Sequence, residues 1–114
     1  MINFKKIALI GALAAEEKKA EDIVILNLQP LTVLTDYFVI LSCESQVQIK
    51  TVAGAITDKL SQKGIKANHI EGTPESKWIL LDYNGVIIHI FHRELRNYYQ
   101  LEKVWGDAKN INYK

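Results

Sequence analysis

Apolar positions along this chain fall into blocks of two different periods. Ile7 to Ala15 is a run of nine apolar or small residues, and Glu16-Glu17-Lys18-Lys19 extends it without a breaker, so a helix is predicted over about 4–20. Residues 23–28 (IVILNL) and 36–42 (DYFVILS) are short and rich in β-branched and aromatic side chains. They are apolar on both faces, as central strands are. Gln29-Pro30-Leu31-Thr32 marks the loop between them. Ser45 with Gln48 forms a capping box, and Ile49, Val52, Ala53, Ile56 and Leu60 then recur at helical spacing up to Gly64. Lys59 and Lys63 suit the negative end of that helix. A strand over about 66–70 follows at crossover distance, which predicts that it runs parallel to an earlier strand of the same sheet. Residues 71–76 form a loop.

Residues 77–83 (KWILLDY) and 86–92 (VIIHIFH) flank Asn84-Gly85, a strong hairpin signal because a type I′ turn needs positive φ at both central positions. A two-residue turn sets the register: Trp78 opposes Phe91, Ile79 Ile90, Leu80 His89, Leu81 Ile88, Asp82 Ile87 and Tyr83 Val86. One face of the ribbon is then Ile79, Leu81, Tyr83, Val86, Ile88 and Ile90, an aliphatic surface that must lie against helices. The other carries Trp78, Leu80, Asp82, Ile87, His89 and Phe91. Two large aromatics beside a carboxylate and an imidazole make a composition enriched at protein interfaces. The competing assignment is that a terminal helix covers this face and makes Trp78 and Phe91 core.

After the hairpin, Leu95, Tyr98, Leu101 or Glu102, and Trp105 share helical spacing from Arg93 to Trp105, and Gly106 stops the helix. The organisation predicted is α-β-β-α-β-β-β-α: an α+β domain with one mixed β-sheet of about five strands and helices packed on it. Residues 1–108 read as a single domain and 109–114 as a polar, frayed tail.

Composition narrows the function. At 114 residues there is room for one core, and Lys and Arg number 14 against 13 Asp and Glu, for a net charge of +1. Proteins that hold nucleic acid through its phosphates are usually far more basic, so a protein partner is expected. The N-terminal lysines, apolar run and Ala12-Leu13-Ala14 also match a secretory signal, which the helix reading opposes. Nine apolar residues are well short of the ~20 needed to span a bilayer.

Candidate chemistry is sparse. His89 and His92 form an H-x-x-H, but in a strand an odd separation puts them on opposite faces, so no metal is expected there. His69 and Glu71 could support acid–base work, yet nothing adjacent completes a constellation. Cys43, the single cysteine, precedes the capped helix, where the dipole would lower a thiol pKa; a small structural side chain at the strand–helix junction is the plainer reading. No glycine-rich phosphate loop is present, and the aspartates form no close pair for magnesium. A nucleotide-using transferase would have to recruit Asp82 and Glu71 as its carboxylates.

Six blocks in order, Ala20–Val24, Thr35–Ile40, Glu71-Gly72, Trp78–Tyr83, Val86–Phe91 and Tyr99–Ala108, resemble the ribosomal silencing factors, the RsfS or Iojap family. The resemblance covers about residues 5–108. It implies a sheet of nucleotidyltransferase-like topology without that superfamily's catalytic carboxylates, hence a non-enzyme without cofactor. It further implies a cytoplasmic protein that binds ribosomal protein fourteen on the intersubunit face of the large ribosomal subunit. Docked there, it would block joining of the small subunit and repress translation, and off the ribosome it would form a homodimer. The family's partner-binding surface falls on Trp78, Leu80, His89 and Phe91, which hairpin register had already selected, with Tyr98, Tyr99 and Lys103 as neighbours. Cys43-Glu44 stands where relatives more often carry Gly-Thr, and Val47 where many carry Arg.

Overall fold

The computed structural model describes residues 3–113. Helix α1 (Phe4–Glu17) starts at Asn3, whose side chain accepts the Lys6 amide, and ends three residues earlier than its pattern predicts. Strands β1 (Glu21–Asn27) and β2 (Tyr37–Cys43) lead into α2 (Gln46–Ser61). The Ser45 hydroxyl caps the Gln48 amide at 3.1 Å, while the Gln48 side chain accepts the Glu44 amide, one residue before the cap. Strand β3 (His69–Glu71), a 3-10 turn (Pro74–Ser76), β4 (Trp78–Asp82) and β5 (Val86–His92) follow, then α3 (Arg93–Tyr99), α4 (Leu101–Val104) and β6 (Lys109–Asn110).

These six strands form one mixed sheet in the order β3-β4-β5-β2-β1-β6. Among the described residues only β2 and β5 pair in parallel; every other neighbour is antiparallel. Those pairings leave β3 running in the same direction as β2, with β4 and β5 between them, so α2 makes the crossover that its spacing predicts. The β4–β5 register matches the turn-derived one at Trp78–Phe91, Ile79–Ile90, Leu80–His89, Leu81–Ile88 and Asp82–Ile87. The turn itself departs from type I′, because Asn84 has φ 70° and Gly85 has no positive φ. A Cβ on Gly85 would lie 2.2 Å from the Phe4 ring, so that exposed side chain would have to move aside.

Helices α1 and α2 lie on the aliphatic face. Ile79, Leu81, Tyr83, Val86, Ile88 and Ile90 are all buried in one cluster with Ile7, Ala8, Ala12, Ile49, Val52 and Ile56. A Cβ at Gly11 would meet Ile88 at 2.9 Å, so the bare backbone lets α1 settle on β5.

Two expectations fail in the C-terminal third. The single helix over 93–105 breaks at Gln100, which has φ 47° and whose amide closes the α3 turn on the Arg96 carbonyl. The frayed tail is instead an edge strand. Leu26 pairs with Asn110 and Asn27 with Lys109, Ile111 donates to the Ile25 carbonyl, and Ile111 and Tyr113 pack on the main core. Main-chain pairing holds this segment, which is why no side-chain period announced it.

Candidate functional site

The second face of the sheet belongs to α3, α4 and a chain of aromatic rings. Phe91 (0% exposed), Leu26, Leu28 and Ile40 form a smaller core here, packed against Leu95, Leu101 and Trp105. The rings run across it in contact: Tyr98 against Tyr99 (5.1 Å), Tyr99 against Trp78 (5.3 Å), Trp78 against Phe91 (4.7 Å), His89 against Phe38 (4.6 Å) and Phe38 against Trp105 (6.1 Å).

Outward presentation of all four hairpin residues is therefore not what the structure holds. Phe91 is fully buried, in the cluster against which Leu95 of α3 packs, and His89 is 4% exposed, enclosed by the rings of Phe38, Trp78 and Phe91. Trp78 and Leu80 are half-buried and lie nearer the rim. With Glu71, Gly72, Ser76, Leu95 and Tyr99 they line an open hollow of about 380 Å³. Tyr99 (51% exposed) forms one wall and Tyr98 (79% exposed) stands beyond it; Lys103 is exposed on α4. The hollow thus gathers Trp78, Leu80 and Tyr99 of the predicted set. His89 and Phe91 are the platform beneath, and the C-terminal segment that competed for this face packs on part of it.

Local chemistry holds the platform. The Trp78 indole N–H donates to His89 Nδ1 at 3.2 Å, which makes the imidazole neutral with its proton on Nε2, and Nε2 is buried without a partner among the described residues. Burial pushes the His89 pKa down to about 4. Gly72 shapes the rim: its φ is 87°, and a Cβ would lie 2.0 Å from the Trp78 carbonyl oxygen.

The groups considered for catalysis are otherwise engaged. Glu71 bonds His69 at 3.0 Å, and Asp82 accepts the Asn84 amide at 2.8 Å across the turn. Cys43 is buried, and desolvation, reinforced by Glu21, raises its thiol to about 12, opposite to an activated thiolate. Among the described residues no group of three His, Cys, Asp or Glu is placed to hold a metal ion, and no helix is long and apolar enough to cross a membrane.

Sequence reasoning missed Arg96. Its guanidinium is buried (7% exposed) beside an open cleft of about 670 Å³ lined by Arg93, Asn97, Gln100 and Lys103 among others. It grips Glu102 with Nε (3.2 Å) and Nη2 (2.9 Å), and Nη1 donates to Ser42 Oγ (2.9 Å) and to the Asp22 carbonyl. The Arg96 hydrogen bonds hold the Glu102 carboxyl below the usual carboxylate range. A positively charged side chain four residues into a helix gave no hint of this.

Comparison with known proteins places these features in context. Residues 2–114 match the family model described as ribosomal silencing factor during starvation. The chain is 40% identical over 107 residues to the ribosomal silencing factor RsfS of Bacillus subtilis, covering 94% of this chain and 91% of that one. It is 36% identical to the RsfS of Halalkalibacterium halodurans, over 86% of this chain and 84% of that one. A crystal structure of a Chromobacterium violaceum protein superposes with a TM-score of 0.88 at 28% identity, covering 92% of this chain and 88% of that one.

Proposed function

Because the chain belongs to the ribosomal silencing factor family, we propose that it acts by occupation: it docks on ribosomal protein fourteen at the intersubunit face of the large ribosomal subunit. Docked there it keeps the small subunit from joining, and no bond is made or broken. The observation that carries this reading is the aromatic ledge. Tyr98 and Tyr99 stand exposed beside a hollow walled by Trp78, Leu80 and Leu95, backed by the buried, stacked rings of Phe91 and His89. Aromatics around a hollow, on a well-packed support, are what an interface hot spot requires. Lys103 adds an exposed positive charge in the cleft beside Arg96. A cytoplasmic setting follows from such a partner, and off the ribosome a second copy covers the same ledge.

Purified large subunits sedimented through sucrose with the protein test the reading. Wild type should travel with them and lower the yield of joined ribosomes when small subunits are added. Tyr98→Ala combined with Tyr99→Ala should cost roughly 2 kcal/mol or more of binding, about 30-fold in affinity. Both side chains are more than half exposed, so the fold should survive. A double variant that still sediments with the subunit and still blocks joining overturns the assignment.

A further inference from the structure

The buried guanidinium of Arg96 is joined to three elements at once: Asp22 at an irregularity in β1, Ser42 in β2 and Glu102 in α4. Two left-handed residues make this arrangement. Asp22, at φ 51°, lies where the β1–β2 register shifts, and its carbonyl is one of the acceptors. Gln100, at φ 47°, interrupts the helix. In an unbroken helix a residue six positions after Arg96 would lie about 240° around the axis and could not reach it. The break turns Glu102 back onto the guanidinium, and the bidentate grip in turn holds the break. Between the two partners lie Tyr98 and Tyr99, and Lys103 follows directly.

The pair is buried on the Arg96 side only, the Glu102 side chain being 38% exposed; such a pair is weak support for stability, and its better-attested use is to specify one arrangement. We propose that Arg96 and Glu102 are a positioning pair for partner docking: their clasp fixes the α3–α4 elbow and so sets where Tyr98, Tyr99 and Lys103 stand relative to Trp78. This rests on the docking reading above.

The test measures affinity for purified large subunits alongside hydrogen exchange of amides 98–104 in wild type, Arg96→Lys, Glu102→Gln and the double variant. Ile56→Val, in the core on the other side of the sheet, is the control for stability loss alone. Each clasp variant should weaken binding about tenfold, mostly through faster dissociation, and the double variant should be no worse than either single, as for members of one network. Exchange over 98–104 should quicken in all three. Ile56→Val should bind like wild type. If Arg96→Lys does not fold, Glu102→Gln alone decides. Clasp variants that bind as wild type does, or an Ile56→Val that loses as much, overturn the positioning role while leaving docking intact; wild type that fails to bind overturns both.

Discussion

His89 makes a titration prediction whose size follows from its burial. The imidazole is 4% exposed between Trp78, Phe38 and Phe91, with a folded-state pKa of about 4 against an ordinary 6.5. Between those two values the unfolded chain binds a proton that the folded chain refuses. Stability is therefore full above pH 6.5 and drains away as pH falls towards 4. At 1.36 kcal/mol per unit, the contribution lost over that window is about 3 kcal/mol. His89→Gln keeps an acceptor for the Trp78 indole but cannot titrate. Urea unfolding followed by the fluorescence of Trp78 and Trp105, repeated from pH 7.5 to 4.5, yields stability against pH for both proteins. The variant should be the less stable at pH 7.5, and its deficit should shrink by more than about 1 kcal/mol per pH unit in the middle of the window. Curves that stay parallel from pH 7.5 to 4.5 would show that the imidazole is not held neutral by burial.

Gly72→Ala should destabilise by at least about 2 kcal/mol in denaturant titration, since it combines a left-handed φ with a Cβ inside the Trp78 carbonyl. Cys43 should resist a thiol reagent in native protein at pH 8 and react only as fast as the chain opens, because its thiol is buried and raised to about 12; rapid modification of folded protein would contradict that. Deleting residues 109–114 should lower thermal stability by about 1–3 kcal/mol, because it removes β6 and the half-buried Ile111 and Tyr113. An unchanged melting curve would mean the segment contributes nothing.

Much of the architecture was legible because its determinants are local. A two-residue turn leaves the β4–β5 pair one register, and the alternation of Ile79, Leu81, Ile88 and Ile90 says which side meets helices. The other side was ambiguous for a physical reason: Trp78, Leu80, His89 and Phe91 have the same composition whether a partner or the chain itself covers them, and here Leu95 packs on the Phe91 cluster while Phe38 and Trp78 enclose His89. The elbow at Gln100 was illegible because the guanidinium onto which it turns Glu102 is seated by Ser42 and Asp22, 54 and 74 positions away from Arg96. Strand β6 was illegible because two residues carry no period.

The parallel pairing at the centre of the sheet constrains how the molecule is made. Strand β2 ends at Cys43, and its partner β5 begins only at Val86, so β2 must wait for α2, β3 and β4 to be synthesised before its inner edge is closed. The β4–β5 ribbon can zip within a few residues of the tip, offering a prepared template onto which the older strand docks. Nascent chains arrested before His92 should therefore remain protease-sensitive throughout, and protection should arrive in one step as β5 emerges.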